Sequence, residues 1–345
     1  MKISEKYADY ILEETKKLLE IDSPSGYTKN VAEYVMEEYH KLGYKADMTV
    51  KGGVLVDLGG EDESNAVMLD THIDTLGGMV SEIKADGNLR IVPIGGLNAN
   101  NTEAENVRVV TRDGKIYTGV FQLDNASVHV NKEYSEKKRS FACMEVLLDE
   151  MVSTKEETRK LGIDVGDIVC FDPRTVITPS GYIKSRFLDD KLSVGILLGF
   201  ARFLKDEGIT PNRKLYQHVT VYEEVGHGAA ATVPEGVREI ISVDMGCVGD
   251  GLQCKETQVS ICAKDSGGPY NYDLVTELSE LAKANGLDYA IDVYPHYGSD
   301  VEASLRGGFD IRHGLIGPGV YASHNYERSH IDGVRNTIAL LKAYL

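Results

Sequence analysis

Ala66-Val67-Met68-Leu69-Asp70 runs directly into Thr71-His72-Ile73-Asp74. The apolar run reads as a buried strand, and the polar residues after it stand at the strand's carboxyl end. Two later stretches have the same form. Residues 215–222 are an apolar strand leading into Glu223-Glu224-Val225-Gly226, and Ile240-Ile241-Ser242-Val243 leads into Asp244-Met245-Gly246. In open α/β sheets, ligand sites lie outside the carboxyl ends of the strands. The three stretches therefore set His72, Glu224 and Asp244 where one shared site is expected.

Working outward, apolar positions recur at helical spacing over 4–21, until Ser23-Pro24-Ser25-Gly26 breaks the pattern. A second helix is expected over 28–42 and a strand over 53–58. Beyond the centre, a helix over 192–204 follows Asp189-Asp190. A helix near 272–285, a strand over 289–293 and a last helix near 333–345 come after it. Between 77 and 182 the texture differs. Alternating segments such as Asn88-Leu89-Arg90-Ile91-Val92 and Val107-Arg108-Val109-Val110 are joined by turn dipeptides such as Asp113-Gly114, with one short helix near 155–161. The pattern predicts an α/β domain, 1–76 with 183–345, interrupted by a β-rich domain over 77–182 that forms a small barrel or sandwich.

Composition narrows the function. The 345 residues are 42% hydrophobic, an ordinary share for a protein with a buried core, and carry a net charge of −17 with no long basic run. Nucleic acid and anionic membranes need clustered lysine and arginine, so neither is expected as a partner. Five scattered cysteines without CxxC spacing suit a reducing compartment. No apolar run approaches the roughly 18 residues of a membrane span, and the charged N-terminus does not resemble a secretory signal. A soluble, cytoplasmic protein is expected.

Each polar motif has an ordinary explanation beside a chemical one. His72-Ile73-Asp74 could be a surface triplet, or a metal-binding imidazole with a carboxylate that fixes its tautomer. Asp189-Asp190 could cap a helix, or one aspartate could bridge two cations. Consecutive Glu223 and Glu224 at a strand end are costly unless a cation compensates them. One can hold a metal while the other serves as general base. His324 and His330 lie six residues apart and would not face the same way on a helix, so at most one is a ligand. Taken together, His, Asp, Glu, Asp and His form a nitrogen-and-oxygen set suited to a pair of zinc, cobalt or manganese ions, with no cysteine required. His40, His218 and His313 read as structural or surface residues, and Lys137-Lys138-Arg139 as a solvated loop. Gly267-Gly268 and Gly298-Ser299-Asp300 read as loops able to line a specificity pocket.

The order of these motifs resembles the co-catalytic metallopeptidases that comprise tetrahedral, glutamyl and deblocking aminopeptidases, some of them labelled endoglucanases. The likeness runs nearly end to end. It rests on Ser25-Gly26-Tyr27, His72-Ile73-Asp74-Thr75-Leu76-Gly77, Leu188-Asp189-Asp190-Lys191, Glu223-Glu224-Val225-Gly226, Val243-Asp244-Met245 and the inserted stretch 146–172. It implies a zinc-peptidase-like mixed sheet flanked by helices, with an inserted barrel-like domain that mediates dimer and higher contacts up to a dodecamer. By position it implies one metal on His72, Asp189 and Asp244, and a second on Asp189, Glu224 and His324. Asp74 would orient His72, and Glu223 would be the general base. Two stretches depart from the family pattern: Ser323-His324-Asn325-Tyr326-Glu327 near the end, and Val225-Gly226-His227-Gly228-Ala229-Ala230 after Glu224.

The expected activity is release of N-terminal residues from short peptides, with two divalent ions per chain, zinc or cobalt, or else manganese. A deacylase or carboxypeptidase on N-blocked substrates would use the same metals. A glycoside hydrolase needs two carboxyl groups flanking a sugar rather than a histidine-rich set, and the chain has no tryptophan to stack one.

Overall fold

The computed structural model describes residues 3–345. Contacts divide the chain into two compact units: everything up to Asp74 together with Arg174–Leu345, and Thr75–Pro173.

A twelve-stranded sheet carries the first unit. Its centre is parallel. Asp62–His72 lies between Arg213–Thr220 and Val237–Val243, and Arg312–Tyr321 continues in the same direction beyond the latter. Ala66, Val67, Met68, Leu69, Val219, Ile240, Ile241 and Val243 are all fully buried. Such unbroken apolar runs belong to strands covered on both faces. Register brings the strand ends level: His72 pairs opposite Thr220, and Asp70 opposite Ser242. Asp244, two residues past Ser242, thus arrives beside His72.

Antiparallel strands finish both edges. Val54–Gly59 and Lys45–Met48 lie on one side, and Glu327–His330, Tyr182–Ser185 and Val176–Ile177 on the other. The hairpin formed by the last two strands belongs to this sheet, although its alternation looks like that of the inserted strands before it.

Helix Ile3–Glu20 packs on helix Leu188–Glu207. It buries Tyr7, Ala8, Ile11, Leu12, Leu18 and Leu19, the stripe read from the sequence. Burying each large apolar side chain contributes about 1.5–3 kcal/mol. The approach is close because glycines stand at the crossing: a Cβ on Gly195 would strike Thr15, and one on Gly199 would strike Ile11. Buried Lys191 then donates from Nζ to the carbonyls of Leu18 at 2.9 Å and Ile21 at 2.6 Å. Those carbonyls at a helix C-terminus gain a positively charged donor. The residue after Asp189-Asp190 thereby ties the site's helix to the first helix.

The second unit is a closed barrel of six antiparallel strands: Gly77–Ile83, Leu89–Ile94, Met144–Leu148, Ile116–Leu123, Glu105–Val110 and Ile168–Phe171, in that spatial order. Alternate residues face inward, so Leu89 and Ile91, Val107 and Val109, Phe121 and Leu123, Met144 and Val146 fill the interior. Phe121 meets Phe171 edge to face with ring centres 5.6 Å apart. Closure removes every exposed strand edge. The basic run at 137–139 is not wholly solvated as expected: Arg139 stacks on Tyr134 and donates from Nε to Glu103 at 2.8 Å. Among the described residues, no helix is long and apolar enough to cross a membrane.

Candidate active site

Every residue singled out from the sequence for metal or catalysis lies in the first unit. His72 ends its strand, and Glu223 and Glu224 form a short turn, Glu223–Val225, after Arg213–Thr220. Asp244 follows Val237–Val243, and Asp189 lies near the start of Leu188–Glu207. His324 sits in the loop between Arg312–Tyr321 and Glu327–His330. Phe187, Tyr222 and His324 all have positive φ, at 69°, 71° and 61°. Non-glycine residues adopt that region only where the surroundings impose it, and here all three flank or form the carboxylate cluster.

The ring of His72 is fixed at Nδ1, which lies 3.0 Å from the carbonyl oxygen of Asp74 and donates to it. Its Nε2 lone pair therefore faces Asp189 Oδ1 at 3.1 Å. The other oxygen of Asp189 lies 3.5 Å from His324 Nε2, which is also 3.4 Å from Glu224 Oε2. Ligand atoms of His72, Asp189 and Glu224 lie within 4.8 Å of one another, as do those of His72, Asp190 and Asp244. Glu223 Oε2 stands 3.7 Å from His72 Nε2.

Asp74 has a different part from the one its spacing suggests. Its carboxylate is 3.6 Å from His72 and is taken up elsewhere. One oxygen accepts from Ser25 Oγ at 2.5 Å, the other from the backbone N–H of Glu223 at 3.1 Å. Asp74 thus holds His72 through its carbonyl and Glu223 through its carboxylate. The Ser25-Gly26-Tyr27 motif enters the site by the first of these bonds.

The electrostatics show what the cluster lacks. Burial and the neighbouring Asp189 charge push Asp244 up to about 7. Glu224 is raised well above the carboxylate range for the same two reasons, and Glu223 is raised by burial and Asp244 despite the opposing pull of His72. Burial opposes charge on His324, yet Asp189 and its neighbours raise it to about 9. Asp189 itself is lowered, because both histidines outweigh its burial. Among the described residues, Asp190 Oδ1 is buried without a hydrogen-bond partner. So many buried carboxylates around two imidazoles, one with its lone pair aimed at an oxygen, are satisfied by cations. The donor set fits a site for divalent metal ions.

Three residues of the quoted stretches have parts that the sequence did not reveal. Asp190 reads as a helix cap, yet its Oδ2 accepts from Thr71 and its backbone is not helical. Glu327 is buried and accepts from the backbone N–H of Asp189 at 3.1 Å and of His324 at 3.0 Å, tying two distant segments together. Asp300 accepts from Thr220 and the N–H of Ala229 behind the strand ends. Two of the other histidines have structural parts. His330 accepts at Nδ1 from Asp332 N–H, capping the final helix, and reaches the Ser180 carbonyl from Nε2 at 2.9 Å. His218 is buried, which pushes it down to about 4.

Fold and site together define a hydrolase of peptide bonds, and the chain belongs to the M42 glutamyl aminopeptidase family, whose pattern matches residues 52–340. It is 44% identical over 334 residues, 97% of this chain and 96% of the relative, to YhfE of Bacillus subtilis (strain 168), which carries the name of an aminopeptidase. Aminopeptidase APDkam598 from the archaeon Desulfurococcus kamchatkensis superposes with a TM-score of 0.87 at 26% identity, covering 99% of this chain and 94% of that one. The Pyrococcus horikoshii TET1 peptidase, described as assembling into a tetrahedron or a large octahedral shell, shares the fold with a TM-score of 0.84 at 23% identity, over 97% and 98% of the two chains.

Proposed function

We propose that this protein releases N-terminal residues from short peptides with two divalent ions. His72, Asp189 and Asp244 would hold one, and Asp189, Glu224 and His324 the other, with zinc or cobalt the preferred metals and manganese the alternative. The observation that carries the reading is Asp189, whose two oxygens face different histidines, as a shared ligand must. Ions bound there would polarise the scissile carbonyl and lower the pKa of a water towards 7. Glu223 lines the same cavity and is held by Asp74 through its backbone N–H. It takes the water's proton as attack proceeds and returns it to the departing nitrogen. A free amino terminus would offer a nitrogen lone pair to one of these ions, whereas an acylated nitrogen has none to offer.

None of the five cysteines forms a disulfide, which supports a cytoplasmic setting. Homo-oligomers from a dimer to a dodecamer are proposed from the likeness to the Pyrococcus horikoshii assembly. The inserted domain, 77–182 by sequence, would mediate them, and 1–76 with 183–345 would carry catalysis. Hydrolysis of matched free and N-acetylated peptides tests the activity. Free peptides should be cleaved at least about a hundredfold faster, the scale of losing a charge-assisted contact of roughly 3 kcal/mol. Preference for the acetylated series would make the protein a deacylase instead.

A further inference from the structure

The cavity at the site has a volume of about 730 Å³, within the range that encloses a small ligand. Metal-site carboxylates make only part of its lining. Met245, Cys247, Gly267, Tyr297, Gly298 and Glu302 contribute to the rest. Glu302 lies on the helix Asp300–Arg306, just after the expected loop Gly298-Ser299-Asp300, and its carboxylate fills the space that a Cβ on Gly267 would need. Gly298 lies on its other side, 3.6 Å away measured from where a Cβ would stand. Two cavity-lining residues without side chains therefore let this carboxylate pack directly on the cavity wall.

Its charge is poorly matched. The Glu302 side chain is only 12% exposed, and among the described residues its ion-pair contact is Arg306 one turn on, 3.5 Å away and 61% exposed. A long contact to a solvated guanidinium contributes little. On the inner side lies fully buried Asp265, whose oxygens are taken by the N–H of Gly267 at 2.9 Å and the hydroxyl of Tyr270 at 2.7 Å. Burial, a side-chain hydrogen bond shared with Asp265 and the charge of that neighbour push Glu302 up to about 7. A carboxyl in that position gains from a cation supplied from the cavity.

We propose that Glu302 is a specificity residue that reads the side chain of the substrate's first residue and selects lysine or arginine. The inference rests on the aminopeptidase reading above. An ammonium or guanidinium at the end of a flexible apolar stem would pair with Glu302, its stem lying along Met245 and Tyr297. An acidic side chain would instead meet two carboxyl groups of its own sign, Glu302 and buried Asp265, against the single Arg306 that also lines the cavity.

The test compares kcat/KM on the 4-nitroanilides of lysine, arginine, leucine and glutamate, with wild type and Glu302→Gln. Lysine and arginine should exceed leucine by about tenfold or more, with glutamate last, and Glu302→Gln should cut the lysine-to-leucine ratio by about tenfold. The wild-type ratio should also fall as salt rises, since the selecting contact is ionic. A readout without turnover is the dissociation constant of Lys-Ala against Leu-Ala on the Glu223→Gln protein, where the lysine dipeptide should bind more tightly. Leucine or glutamate cleaved as well as lysine, or a ratio unmoved by Glu302→Gln, overturns the inference and leaves the aminopeptidase reading intact. No cleavage of any free-amine substrate overturns both.

Discussion

Glu223→Gln should lower kcat/KM on a free-amine peptide by about 10³-fold while the metal content stays at the wild-type level. The magnitude is that of a positioned general base, roughly 10²–10⁴-fold. Glutamine keeps the shape of glutamate but cannot accept a proton from water. Its backbone N–H still reaches Asp74, so the turn that carries Glu224 keeps its place. Folding should not suffer, because Glu223 is a buried carboxylate near Asp244, Asp300 and Glu224, and neutralising it relieves like-charge repulsion. Steady-state kinetics and elemental analysis on the same preparation settle the matter. Activity within threefold of wild type would mean that another group moves the proton.

Asp189→Ala should remove both ions rather than one. Each oxygen of Asp189 faces a different histidine, so no substitution of a terminal ligand is equivalent to losing it. His324→Ala is the control, because its Nε2 faces the Asp189 and Glu224 oxygens assigned to the second ion. The expected metal content is well below one ion per chain for Asp189→Ala and about one for His324→Ala, against about two for wild type. Activity should fall about 10³-fold or more in the first. Two ions retained by Asp189→Ala would show that it is not the shared ligand.

What could be read in the sequence was whatever local pattern encodes. Ala66–Leu69 is apolar and Ile240–Val243 nearly so because both faces of a parallel sheet are covered, while 215–222 buries Gln217, His218 and Thr220 among its apolar residues, and charge appears where each strand emerges. That contrast marked His72, Glu223, Glu224 and Asp244. Their meeting follows from parallel register, which the opposition of His72 to Thr220 and Asp70 to Ser242 now displays. Interactions between segments far apart in the chain left no such mark. The use of the Asp74 carboxylate by Ser25 and Glu223, rather than by His72, depends on where a loop 49 residues earlier lies. Glu327 accepts from a backbone N–H 138 residues away, and nothing near it in sequence signals that. Asp190 sits where helix caps sit, so local preference points away from the buried, part-unsatisfied role it has. The hairpin at Val176–Ile177 and Tyr182–Ser185 alternates like a barrel strand but pairs with Glu327–His330, a choice only the tertiary fold makes.

The most direct test of the central claim is elemental analysis of the purified wild-type protein, before and after chelation, coupled to hydrolysis of one free-amine peptide. About two divalent ions per chain should be found, activity should vanish as they are withdrawn, and adding zinc or cobalt should restore it. A protein that holds no metal after exposure to zinc and cobalt, and that cleaves the peptide undiminished in chelator, would contradict it.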